Sequence, residues 1–107
     1  MKKEILDTIL LLLRKYDKDV YKEAVFKDIM PTNRRFRADY YLPNLKTIIE
    51  VNGGKYINGR HNRGGVGYEN DLTKLNLAQQ HGFKIYQFTY EMIKRGELTK
   101  TLDDGME

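Results

Sequence analysis

The sequence predicts an α/β fold, a small mixed β-sheet flanked by helices. Three observations carry that expectation. An apolar stripe at helical spacing opens the chain. Two β-branched and aromatic runs follow, separated by a Pro-Asn turn. A second helical pattern then leads into one more strand-like run. At 107 residues, without a repeat or a linker-like tract, residues 1–107 are expected to form a single domain.

Residues 3–16 place Ile5, Ile9, Leu12 and Tyr16 at helical spacing, widened by Leu6, Leu10 and Leu13, and predict an amphipathic helix. Residues 17–33 leave two options open. Tyr21, Val25 and Ile29 suit a continued helix, whereas Ala24-Val25-Phe26 suits a short edge strand, before Pro31-Thr32-Asn33 turns the chain. Arg34–Leu42 and Thr47–Asn52 predict a β-hairpin across Pro43-Asn44-Leu45-Lys46. Gly53–Gly67 holds six glycines in fifteen residues and predicts a loop. Tyr68, Leu72, Leu75 and Gln79 predict one face of a helix over 68–81, with Leu77 and Ala78 beside it and Gly82 as its stop. Phe83–Phe88 predicts a strand, Tyr90–Arg95 a short helix, and the residues from Lys100 onward a frayed tail.

Composition narrows the functions open to such a domain. The chain has no cysteine, which excludes disulfides, thiolate metal sites and a cysteine nucleophile. Its longest apolar run, Ile9–Leu13, is too short to span a bilayer, and no signal-peptide pattern follows Met1. A cytoplasmic location with no membrane partner is the expectation. Nineteen Lys and Arg against fifteen Asp and Glu leave a net charge of +4, which permits a polyanionic partner.

The hairpin is the chemically informative region. A turn centred between Asn44 and Leu45 sets Asp39 opposite Glu50, with Arg37, Tyr41, Ile48 and Asn52 on the same face. Ala38, Tyr40, Leu42, Thr47, Ile49 and Val51 form the other face and suit a core. Two carboxylates ~5 Å apart repel by roughly 3 kcal/mol at an effective dielectric of 20. A shared proton, a nearby Arg37 or a divalent cation would offset this, and an exposed pair screened by water is the plain alternative. The glycine-rich segment leaves the acidic strand directly and carries Lys55, Arg60, His61 and Arg63 without an acid. Glycines admit close backbone approach, and the cations suit phosphates. Arg34, Arg35 and Arg37 add charge at the other end of the hairpin.

Asp39, then Glu50-Val51-Asn52 after an apolar run, resembles the PD-(D/E)XK nuclease superfamily. Glu50-Val51-Asn52-Gly53-Gly54, Gly59-Arg60-His61-Asn62-Arg63-Gly64 and Asp71-Leu72-Thr73-Lys74-Leu75-Asn76 resemble blocks of its small phage-type endonucleases, some of which resolve branched DNA. The resemblance covers about half the chain, Arg35 to Phe88. It implies a restriction-endonuclease-like αβββαβ core and a metal-dependent endonuclease acting on DNA in the cytoplasm, that of a bacterial host if the protein is phage-encoded. Asp39, Glu50 and the Val51 carbonyl would hold Mg²⁺, or Mn²⁺ in its place, with no small-molecule cofactor. Arg34, Arg35, Arg37, Lys55, Arg60 and Arg63 would contact DNA.

This sequence has Asn52 where the superfamily usually has lysine. Asn52 would then position water, and Lys74, with Lys55 or His61 as alternatives, would supply the cation or base. For Lys74 the plain alternative is an i,i+3 pair with Asp71. Glu23 would be an extra acid, whereas Glu69, Asp71 and His81 read as helix-dipole partners. The resemblance also implies a homodimer, with the Leu-rich stripe of the first helix as either its interface or simply core. Two other readings stand beside this one: a DNA-binding accessory protein of the same fold that has lost activity, and a retaining glycosidase with two close carboxylates.

Overall fold

The computed structural model describes residues 2–52 and 65–105. Among these, the chain runs α1 (Lys2–Arg14), β1 (Tyr21–Val25), α2 (Phe26–Ile29), β2 (Arg37–Leu42), a 3₁₀ turn (Pro43–Leu45), β3 (Thr47–Val51), α3 (Gly65–Gln80), β4 (Lys84–Phe88), α4 (Tyr90–Lys94) and α5 (Glu97–Gly105). The strands form one sheet in the order β1-β2-β3-β4. The first three are antiparallel and β4 runs parallel to β3. This is the mixed α/β class that the sequence predicts.

The hairpin has the expected register. Leu42 pairs with Thr47, Tyr41 with Ile48 and Tyr40 with Ile49. The connection closes as a 3₁₀ turn, and Lys46 leaves it in the left-handed region at φ 50°. Asp17, from the turn after α1, holds this connection from outside. Its carboxylate accepts the Asn44 backbone N–H at 2.7 Å and the Asn44 side-chain N–H at 2.7 Å.

Both faces of the sheet are covered. Ile9 and Leu13 of α1 pack with Leu98 and Leu102 of α5 against Tyr40, Leu42, Ile49 and Phe88. On the opposite face, Phe26 of α2 and Ala78 of α3 pack with Ile48 and Phe83. Strand parity separates the layers: neighbours Ile48 and Ile49 are both fully buried, on opposite faces.

Two local expectations are corrected and one open choice is settled. Residues 65–67, read as loop, belong to the first turn of α3. The residues from Lys100 are helical rather than frayed, because Leu98 and Leu102, four apart, are buried against the sheet. The segment 17–33 resolves into an edge strand followed by a short helix rather than one long helix.

Helix α3 buries a different face from the predicted one. Tyr68 and Leu72 are exposed at 41% and 42%, whereas Ala78 is fully buried with Leu77 packed nearby. The helix ends in a Schellman motif: Gly82 sits at φ 83°, its N–H reaches the Gln79 carbonyl and the Phe83 N–H reaches that of Ala78, both at 3.0 Å. This fixes Ala78 and Phe83 against the sheet and so sets the rotation of the helix. No helix among the described residues is long and apolar enough to cross a membrane.

Candidate active site

The polar centre lies where β2 and β3 stop pairing through their backbones. The ladder reaches Tyr40 and Ile49. One residue further on, side chains replace it. Glu50 Oε2 accepts the Asp39 backbone N–H at 2.9 Å, and Asp39 Oδ2 accepts the Val51 backbone N–H at 2.8 Å. Each carboxylate thus reaches across to the opposing strand. The hairpin register brings the two acids to this point, although strict alternation ends there: Ala38 packs in the cluster of Ile48 and not in that of Tyr40.

Lys74 reaches the pair from α3. Its Nζ donates to Glu50 Oε1 at 2.5 Å, and the two side chains are only 17% and 9% exposed. The ammonium also lies 5.9 Å from the Phe26 ring centre. Burial pushes the Glu50 carboxyl up from its ordinary value. The Lys74 charge and the hydrogen bonds oppose that rise, the Asp39 charge adds to it, and the net direction is upward. The expected repulsion between opposed acids is therefore answered by backbone N–H groups and a lysine from another element. Arg37 is turned to Glu23 instead, with Nη1 to Oε1 at 3.0 Å on the surface.

The remaining sequence-predicted residues divide. Asn52 extends the sheet beyond β3: its N–H donates to the Phe88 carbonyl at 2.8 Å and its side chain to Gln87 Oε1 at 2.8 Å. Val51 adjoins the acids through the N–H that Asp39 accepts. Arg34 is exposed and stacks on Phe36, with its guanidinium carbon 4.4 Å from the ring centre. Arg35 is also exposed. Lys55, Arg60, His61 and Arg63 lie outside the described residues. Among the described ion pairs Lys74 has Glu50 as its partner and not Asp71.

An open cleft of about 200 Å³ adjoins Asp39, lined also by Leu6, Lys22, Glu23, Tyr40, Val51 and Tyr90. Burial, with the Asp39, Tyr90 and Asp7 charges behind it, pushes the Tyr40 hydroxyl up to about 12, and that hydroxyl donates to the Leu6 carbonyl at 3.2 Å. Glu23 lies between the Lys22–Tyr40 and Ala24–Ala38 pairs of β1 and β2 and holds φ 53°, a conformation that residues other than Gly, Asn and Asp rarely adopt. Lys22 and Tyr90 were not legible as site residues, since no local motif joins them to Asp39. Only β1 pairing and the β4–α4 corner bring them there.

Among the described residues, no group of three or more His, Cys, Asp or Glu side chains could hold a metal ion. The two carboxylates nonetheless form an all-oxygen donor set that suits Mg²⁺, which needs only one or two carboxylates beside water and phosphate. Asp39 Oδ1 carries no described hydrogen bond, and each engaged oxygen keeps a second lone pair. Compared with known proteins, the chain matches no family model, no curated protein and no solved structure.

Proposed function

We propose that this chain is a metal-dependent endonuclease that hydrolyses DNA phosphodiesters, built on a restriction-endonuclease-like core. One observation carries the reading. Two carboxylates on adjacent strands converge at a sheet end, and a lysine from the following helix contacts one of them. Asp39 and Glu50, helped by the Val51 carbonyl, would hold a Mg²⁺ or Mn²⁺ ion. Such an ion, when bound, polarises a phosphate and lowers the pKa of a ligated water.

The chain's own residues supply the rest. Lys74 favours ionised Glu50 against the cost of burial and so keeps it competent as a ligand. Its position lets it take the part of the lysine that Asn52 replaces. Asp39, fixed by the Val51 N–H through Oδ2, presents Oδ1 outward. The exposed Arg34, Arg35 and Arg37 would neutralise phosphates along the strand that leads to Asp39. The Leu-rich stripe of α1 packs into the core, so a homodimer would use another surface.

The test is incubation of labelled duplex, single-stranded and branched DNA with Mg²⁺, Mn²⁺ or EDTA. Wild type should cut in either metal and not in chelator. Glu50→Gln and Asp39→Asn should abolish cutting, and Lys74→Ala should slow it by about two orders of magnitude or more. Cleavage that survives EDTA, or that is indifferent to all three substitutions, overturns the reading.

A further inference from the structure

We infer that the cleft beside Asp39 seats one unpaired nucleoside of a DNA strand, with Lys22 on its phosphate and Tyr90 against its base. The inference rests on the nucleic-acid reading of the neighbouring acids but not on their catalysis. Three observations carry it.

The first is charge. Lys22, Glu23 and Asp39 are the charged residues that line the cleft. Glu23 is paired with Arg37 and Asp39 accepts the Val51 N–H. Lys22 is exposed and has no ion pair among the described residues. It is therefore the cation of the cleft left to meet an anionic group of a ligand, beside Asp39 Oδ1, which faces a metal in the reading above.

The second is shape and surface. Leu6, Val51 and Tyr90 supply apolar wall to an open cleft of about 200 Å³. Aromatic rings beside a cation are how proteins hold bases of single strands without reading sequence.

The third is rigidity. Tyr90 opens α4, whose cap is closed by the Met92 N–H on Thr89 Oγ1 at 3.1 Å. Tyr40 below is tied to α1 through the Leu6 carbonyl. Lys22 is set by its pairing with Tyr40. The walls are thus preformed, which limits the ordering cost of binding.

The experiment is fluorescence anisotropy with a short labelled single-stranded DNA, and separately a blunt duplex, in EDTA so that nothing is cut. Wild type, Lys22→Ala, Tyr90→Leu and the surface control Lys100→Ala are compared, with a deoxynucleoside monophosphate as competitor. Tyr90→Leu should weaken single-strand binding by about tenfold and leave the duplex little changed. Lys22→Ala should lower the log–log salt slope by about 0.7, the value of one single-strand phosphate contact. Lys100→Ala should match wild type. Tyr90→Leu and Lys22→Ala proteins that bind like wild type overturn the inference, and metal-dependent cutting by wild type would still stand. A monophosphate that competes as well as the strand also overturns it, since the ligand is then the free nucleotide. Tyr90- and Lys22-dependent strand binding without cutting in any metal would support the cleft and refute the nuclease.

Discussion

Asp17 and Glu50 are both nearly buried, at 3% and 7% exposure, yet their acidities move in opposite directions. For Asp17 burial pushes the carboxyl up. Hydrogen bonds from the Asp19 N–H, the Asn44 side chain and the Asn44 and Leu45 N–H groups outweigh that and hold it below its ordinary value. For Glu50 burial prevails over one lysine and one N–H, with the Asp39 charge reinforcing it. The difference lies in the donors. A carboxylate ringed by fixed N–H dipoles stabilises the fold in its charged form. One that relies on one ammonium and one N–H beside another acid is held charged at a cost. The first is scaffold, and the second has the character of a site.

That contrast can be broken most forcefully at Lys74. Lys74→Met removes the counterion of a buried acid, and should destabilise the protein by about 3 kcal/mol at neutral pH in urea melts. Unpartnered Glu50 then takes up a proton more readily, so the loss should shrink as pH falls through its raised folded value. Adding Glu50→Gln should restore stability to within about 1 kcal/mol of wild type, because a neutral pair needs no counterion. A double variant no more stable than Lys74→Met would mean that the lysine's role is packing.

Asp17→Ala comes next. It strands the Asn44 and Asp19 N–H groups and should cost about 3 kcal/mol, with no recovery from a second substitution at a lysine. Thermal melts across pH then separate the two acids in wild type. The folded value for Asp17 lies below its unfolded one, so its stabilisation is complete above the ordinary carboxylate range and fades as pH falls through the folded value. The folded value for Glu50 lies above, so its contribution is present at low pH and is lost as pH rises through that value. Asp17→Asn should flatten the acid limb, and Glu50→Gln the limb on the other side. Identical pH profiles for the two variants would remove the distinction between them. The smallest effect is that of Asn44→Ala, about 1 kcal/mol, since the backbone N–H at that position still reaches Asp17.

The site was legible where local rules suffice. A four-residue connection and the period of two in a strand place Asp39 opposite Glu50 without any knowledge of the rest; the structure has that register as far as Tyr40 and Ile49, and beyond it the two acids reach across to the opposing strands' N–H groups. Lys74 was legible as a cation of the next helix, but its partner was not. An i,i+3 contact with Asp71 competes on sequence grounds, and only the rotation of α3 set by Ala78 and Phe83 decides for Glu50.

Sequence alone determined the first helix, the hairpin and its register, the second long helix and the strand after it, because each follows from interactions between residues close along the chain. Tertiary structure decided what periodicity leaves degenerate. Helix α3 offers apolar residues on more than one face, and the sheet selects Ala78 over Tyr68 and Leu72. The tail from Lys100 lacks a long apolar run, yet Leu98 and Leu102 find the sheet and make it helical. The burial of Asp17, the counterion of Glu50 and the cleft that joins Lys22 to Tyr90 all depend on contacts between segments far apart in sequence. No propensity encodes such contacts, since their free energy exists only once the layers have packed.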